Sequence, residues 1–208
     1  MILFTKHYFS SIGRGDLYMN NVRVGFCLCG SYCTFSKVIP IIEQLVKEGA
    51  EVTPIMSENA YSTDTRFGKA EEHISRIESI CKRRIISSIT QAEPIGPKKL
   101  LDIIIIEPCT GNTLGKLANG ICDTCVTMAA KAHLRNNRPV LIAVSTNDGL
   151  SSSSKNIGIL HNSKNIYFVP YRQDDPHFKE NSLVADFDKT IVAMHNALEG
   201  RQIQPIIL

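Results

Sequence analysis

The chain of 208 residues carries 23 Lys and Arg against 20 Asp and Glu, a net charge of +3, with 43% hydrophobic and 21% charged residues. Both signs are scattered, so there is no basic face for nucleic acid, and no run approaches the roughly 18 consecutive apolar residues of a membrane span. The length suits one domain, large enough to bury roughly 70% of the surface its unfolded chain exposes.

Residues 1–18 show no clean period and precede Met19-Asn20-Asn21, after which a strong strand pattern begins at once. Residues 1–20 are therefore expected to be an N-terminal extension, or the product of a start codon placed upstream of Met19, with residues 21–208 forming the domain. The first residues also lack the apolar stretch and small-residue cleavage site of a secretory signal. Seven cysteines, an odd number, cannot all pair internally. Reduced thiols in the cytoplasm are the expectation.

The elements then alternate. VRVGFCLCG (22–30) reads as a buried strand, and residues 34–49 as a helix with Val38, Ile41, Ile42, Leu45 and Val46 at helical spacing, stopped by Gly49. EVTPIMS (51–57) is a second strand, placed near an edge or bulge by Pro54. Residues 66–82 have a helical pattern, and 85–89 (IISSI) a short strand pattern. DIIIIEP (102–108) is the clearest strand. Two helical stretches follow, 112–120 and 124–137, then strands at 139–146 and 165–171 and a last helix over 182–199. The Ser-rich stretch 149–156 reads as a loop. Continuous apolar strands separated by helices predict a single α/β domain. Its parallel sheet is Rossmann-like and doubly wound, with helices on both faces.

In open α/β sheets, ligands lie beyond the carboxyl ends of the strands. Four successive strands here end in small hydroxyl or amide residues: Gly30, Ser31 and Thr34; Ser57; Thr110, Gly111, Asn112 and Thr113; Ser145, Asn147 and Asp148. Together they predict a polar-rimmed crevice. The glycine-hydroxyl turn at 30–34 leads into a helix and suits a phosphate, although it is neither G-x-G-x-x-G nor a P-loop. Asn112 either meets a ligand or caps its helix. Asp148 either acts as a base, orients a neighbour, or serves a turn with Gly149. Arg66 is a candidate bidentate clamp for a substrate carboxylate, and Lys116 a second substrate contact. The lone Cys122-x-x-Cys125 pair is weak evidence for a metal, and none is expected. Cys27 and Cys29 read as core, and Cys33 and Cys109 as candidate pocket residues.

Pro108, Asn112, Thr113, Lys116, Ala118, Gly120 and Asp123 fall in register with a known signature. It resembles that of the homo-oligomeric flavin-containing Cys-decarboxylase family, where Pro-Ala-Ser/Thr-Ala-Asn-Thr is followed by Lys, Ala, Gly and Asp. The Gly30-Ser31 turn and Ser57-x-x-Ala60 are similar to that family's contacts with FMN phosphate and ring. Within that superfamily, STDTRFG (62–68), AEPIGPKKLLD (92–102), AAKAHLRNNRPVL (129–141), STNDGL (145–150), YRQDDP (171–176) and NSLVADF (181–187) together resemble the small-subunit (B) family of bacterial dipicolinate synthases. This resemblance runs from about residue 22 to 208. It implies oxidation of dihydrodipicolinate, a dicarboxylate, to dipicolinate with a larger subunit (A), in the mother cell of a sporulating bacterium.

The resemblance further implies a homo-oligomer with FMN in this chain and a nicotinamide, NAD(P), on the large subunit. Asn112, from the shared motif, and Asp148, from its place after the fifth strand, are the expected catalytic residues. Gly30, Ser31, Thr34, Ser57, Thr110, Gly111, Asn112, Thr113, Ser145 and Asn147 hold the cofactor, and Arg66 and Lys116 the substrate. Two departures stand out. PIGPKKLLD lacks the histidine that decarboxylases carry before this strand, and STND replaces their Pro-x-Met-Asn-x-x-Met-Trp segment in a chain with no tryptophan. Cysteine decarboxylation is therefore not expected. Two other readings remain open: a non-catalytic partner that stabilises the large subunit, and an FMN-dependent flavoprotein of another substrate class.

Overall fold

The apolar run at the chain's middle becomes β3 (Ile103–Cys109), buried at every position. It lies between β1 (Arg23–Leu28) and β4 (Val140–Thr146), and both neighbours run parallel to it. A strand hydrogen-bonded on both sides and covered on both faces has no solvent side, which is why its sequence does not alternate. The computed structural model describes residues 21–208, so the expectation for residues 1–20 lies outside the described residues.

β2 (Glu51–Met56) pairs parallel with β1 at the edge of the sheet, where Pro54 is tolerated. With β6 (Tyr171–Asp175) and β7 (Lys179–Ala185), the sheet order is β2-β1-β3-β4-β7-β6, and β5 (Ile166–Phe168) pairs in parallel with the first half of β4. From β1 the chain winds outward to β2, returns past β1 to β3, and continues to β4. The direction of winding therefore reverses between β1 and β3. Right-handed crossovers then place α1 (Phe35–Lys47) on the face opposite α5 (Gly111–Ala118) and α6 (Cys125–Leu134). The doubly wound α/β sheet read from the sequence is the observed architecture.

Helix α1 buries Val38, Ile39, Ile41, Ile42 and Leu45. It ends in a Schellman turn: Ala50 N–H donates to Leu45 C=O at 3.0 Å and Gly49 N–H to Val46 C=O at 3.1 Å, with Gly49 at φ 94°. The 66–82 pattern divides into a loop and α3 (Ala70–Cys81), preceded by the short α2 (Glu58–Ser62).

Three expectations are corrected. IISSI is not a strand: Ile86 makes one isolated bridge to Ile55, and Ser88 caps α4 (Ile89–Ala92) by accepting from Gln91 N–H. Residues 149–156 are not all loop, because α7 (Ser154–His161) starts among the serines and buries Ile157 and Leu160. The last helix, α8, covers Thr190–Leu198 only. Before it lies an antiparallel hairpin, β6 (Tyr171–Asp175) and β7 (Lys179–Ala185). Its outer half is exposed on both faces, so it lacks the period-two apolar signal, and Ser182–Ala185 runs into the apolar pattern of α8.

One acid sits inside the sheet. Glu107 in β3 is 0% exposed, accepts a 2.8 Å hydrogen bond from Thr190 Oγ1, and leaves Oε1 without a partner. Burial pushes its carboxyl up to about 8, against the Thr190 hydrogen bond that lowers it. The folded chain thus holds a proton that the unfolded chain releases near 4.5. Stability is full below that value and falls as pH rises towards about 8. Melting from pH 5 to 8.5 is expected to show this decline, and Glu107→Gln to remove most of it, a difference of a few kcal/mol at the alkaline end. A variant with the same slope as the parent contradicts this assignment.

Candidate functional site

The carboxyl ends of β1, β3 and β4 open into a cleft of about 670 Å³, within the roughly 300–1,000 Å³ usual for ligand sites. It spans the point where the winding reverses, the place this sheet architecture offers to ligands. Beyond β1 lie Gly30 to Thr34 and Lys37; beyond β3, Thr110, Gly111 and Asn112; beyond β4, Asn147 and Asp148. β7 pairs antiparallel with β4 only at Ser145 and Thr146, which stands the β6–β7 hairpin up as one wall. That wall supplies Asp174, Lys179, Ser182, Leu183 and Val184.

The strand ends are tied together. Ser31 and Ser145 hydroxyls are 2.9 Å apart, joining the ends of β1 and β4 across β3. Thr34 Oγ1 donates to Ser31 C=O at 2.7 Å. Beneath them Thr113 Oγ1 donates to Cys29 Sγ at 3.2 Å and lies 3.3 Å from Thr110 Oγ1.

Asp148 organises the turn after β4. Its carboxylate accepts from Thr146 Oγ1 at 2.5 Å, Ser152 Oγ at 2.6 Å and Ser153 Oγ at 2.9 Å. Burial works to raise this carboxyl, but the three hydroxyls outweigh it and hold it below the usual aspartate range. A carboxylate so occupied is a weak proton acceptor and a strong organiser. Gly111 lies against this cluster: a Cβ there would meet Asp148 Oδ1 and Thr146 Oγ1 at 2.7 Å and Ser153 Oγ at 2.8 Å.

Asn112 is the second residue of α5, yet it does not cap the helix, and Asn112 and Asn147 make no side-chain hydrogen bond to the described residues. Two cations line the cleft, Lys37 and Lys179. Lys179 pairs with Asp174 at 2.5 Å, and that hydrogen bond raises its ammonium above the usual lysine range. Lys37 has no acidic partner among the described residues.

Of the residues singled out in the sequence, Gly30, Ser31, Thr34, Thr110, Gly111, Asn112, Ser145, Asn147 and Asp148 meet in the cleft. Five lie outside its lining, Cys109 among them. Ser57 caps α2 by accepting from Ala60 N–H at 3.4 Å, and Thr113 is buried. Arg66 lays its guanidinium 4.8 Å from the Phe67 ring centroid, and Lys116 pairs with Asp123 at 2.8 Å. Sequence reasoning passed over Tyr32, Lys37, Phe67 and the hairpin wall. Lys37 was within reach, since a residue three positions after Thr34 on a helix shares its side.

The buried thiols are quiet. Cys29 is pushed up to about 11 by burial, and Cys109 is also raised by burial and is fully buried rather than in the lining. Cys33 lines the cleft. Cys122 lies in the loop ahead of α6, and Cys125 donates to Met56 C=O at 2.8 Å. Among the described residues no group of three His, Cys, Asp or Glu could hold a metal, and no helix is long and apolar enough to cross a membrane.

The flavoprotein family model matches residues 15–197. The chain is 49% identical over 186 residues to the small (B) subunit of dipicolinate synthase from Bacillus subtilis, covering 89% of this chain and 93% of the relative. The crystal structure of the corresponding dipicolinate synthase chain from Bacillus halodurans superposes with a TM-score of 0.83 at 45% identity, over 91% of this chain and 98% of that one. The FMN-dependent cysteine decarboxylase SpaF shares the fold at a TM-score of 0.60 and 21% identity, covering 85% of this chain and 97% of its own. The strand-end cleft is thus set in a sequence that matches one family along most of its length, and the chain belongs to the flavoprotein family.

Proposed function

We propose that this chain is the small subunit of a dipicolinate synthase, acting with a larger subunit to oxidise dihydrodipicolinate to dipicolinate in the mother cell of a sporulating bacterium. The observation that carries the reading is the convergence of Ser31, Asn112 and Asn147 from three strand ends on one cleft, in a chain 49% identical to the small (B) subunit of the Bacillus subtilis synthase. The donor set fits FMN: hydroxyls, a lysine without an acidic partner and two amides without hydrogen-bond partners among the described residues line one cleft. Flavin held there supplies the two-electron acceptor that no side chain provides.

The chain's own residues position and neutralise. Gly30, Ser31 and Thr34 receive the phosphate with Lys37 as its counter-charge. Thr110, Gly111, Asn112, Ser145 and Asn147 flank the ring, and Ser57 and Thr113 brace these turns from behind. Asn112 touches the reacting ring and orients it. Asp148 holds the turn that presents Asn147, so its part in catalysis is through that turn. One substrate carboxylate meets Lys179, which lines the cleft on the hairpin beside its partner Asp174, whereas Arg66 and Lys116 lie outside the lining. The large subunit carries NAD(P), and the small subunit assembles as a homo-oligomer. The test is dipicolinate formation by the two co-purified subunits from dihydrodipicolinate. Equal rates with and without this chain would overturn the proposal.

Lys37→Gln is expected to weaken FMN binding about three- to tenfold at low salt, an effect that shrinks as added salt screens the charge. Riboflavin, which lacks the phosphate, should bind parent and variant alike. Equal loss for both ligands contradicts a phosphate role.

A further inference from the structure

We infer that Phe67 is a stacking residue for a planar aromatic ring bound in the cleft. Resting on the function proposed above, it names the recognition chemistry of that site. Phe67 is a large apolar side chain left 46% exposed at the wall of a polar cleft. Its loop is braced, so the ring is presented rather than merely left out. Thr65 and Gly68 exchange backbone hydrogen bonds at 3.1 and 3.2 Å, and Phe67 N–H donates to Thr65 Oγ1 at 3.1 Å. Ala70 N–H donates to Asp64 Oδ1 at 2.9 Å, closing the loop onto α3.

The turn also demands glycine at 68. Its φ is +135°, and a Cβ there would meet His73 Nε2 at 2.8 Å. The Arg66 guanidinium lies 4.8 Å from the Phe67 centroid, an arrangement that aligns the ring and leaves its edge and remaining surface for the cleft. Tyr32, anchored by its hydroxyl to Asn59 C=O at 2.9 Å, adds a second aromatic to the lining. Aromatic pairs gain from offset or edge-on contact beyond the area they bury. Two such rings beside amide and hydroxyl donors suit a flat heteroaromatic ligand. The ring of a flavin and that of a pyridine dicarboxylate share this chemistry.

The chain contains no tryptophan, so Phe67→Trp installs a single tryptophan at the wall, excited selectively above the tyrosine band. Purified full-length Phe67→Trp is titrated with FMN, with pyridine-2,6-dicarboxylate, and with the saturated ring piperidine-2,6-dicarboxylate. Wild type, Phe67→Leu and Phe67→Ala are titrated alongside by calorimetry. Stacking predicts quenching by an aromatic ligand and not by the saturated one, with affinity for that ligand lowered about tenfold in both Leu and Ala variants. Lowered FMN affinity in both variants assigns the ring to the flavin, and lowered affinity for the pyridine dicarboxylate alone assigns it to the product. Wild-type binding of either ligand with unchanged affinity in Phe67→Ala overturns the inference and leaves the proposed function standing. Binding of neither ligand by wild type overturns both.

Discussion

Gly111→Ala is expected to unfold the chain several degrees earlier and to abolish ligand binding in the cleft, although alanine is the better helix former. Gly111 is the first residue of α5, where alanine would ordinarily gain up to about 1 kcal/mol. The contacts reverse the sign. The added methyl would fall 2.7–2.8 Å from Asp148 Oδ1, Thr146 Oγ1 and Ser153 Oγ. These atoms cannot yield singly, because Thr146 and Ser153 both donate to the Asp148 carboxylate. Overpacking of this kind costs about 1–3 kcal/mol, and displacing the cluster strips hydrogen bonds from a carboxylate that those bonds hold ionised. Gly158→Ala is the matched control. Gly158 lies in α7 with nothing within 4 Å of the place an added methyl would take, so alanine there should stabilise by about 0.5–1 kcal/mol. Melting curves of the two variants should move in opposite directions. Two shifts of the same sign would contradict this role for the turn after β4.

Asn112→Ala is expected to leave the melting temperature unchanged and to lower both FMN affinity and synthase activity with the large subunit about tenfold. The sequence left two readings of this residue, a helix cap and a ligand contact. The structure places Thr110 at the cap position and gives the Asn112 side chain no hydrogen bond among the described residues. A cap lost to alanine costs about 1 kcal/mol of stability, whereas an amide that only meets a ligand costs the fold nothing. A ligand hydrogen bond is worth about 0.5–1.5 kcal/mol, which sets the tenfold scale. A lowered melting temperature with full affinity would restore the capping role and remove Asn112 from the site.

What the sequence made legible follows from where periodicity is strong. β1, β3 and β4 are buried on both faces and read as unbroken apolar runs, so the sheet and its helical cover could be anticipated. The strand ends were legible because parallel strands in one sheet bring their carboxyl termini together. That topology alone gathers Ser31, Asn112 and Asn147 from positions far apart in the chain. The hairpin wall was not legible. β6 and β7 pair at the sheet's far edge, their outer halves are solvated, and charged residues such as Arg172, Asp174 and Lys179 carry no facing preference. Arg66 and Lys116 were singled out by charge, and the structure engages them with Phe67 and Asp123. Pairing partners of such cations depend on loop paths that local sequence does not specify. Phe67 was passed over for a similar reason. An exposed phenylalanine signals a site only once the cleft beside it is known.

The central claim is that the cleft at the ends of β1, β3 and β4 holds a flavin. The direct measurement is the visible absorbance spectrum of the purified chain, taken as isolated and again after incubation with FMN and removal of the excess. The predicted result is the two flavin bands of a bound cofactor, near one per chain, and their loss in Gly111→Ala. A chain that stays colourless under both conditions, while folded, would contradict it.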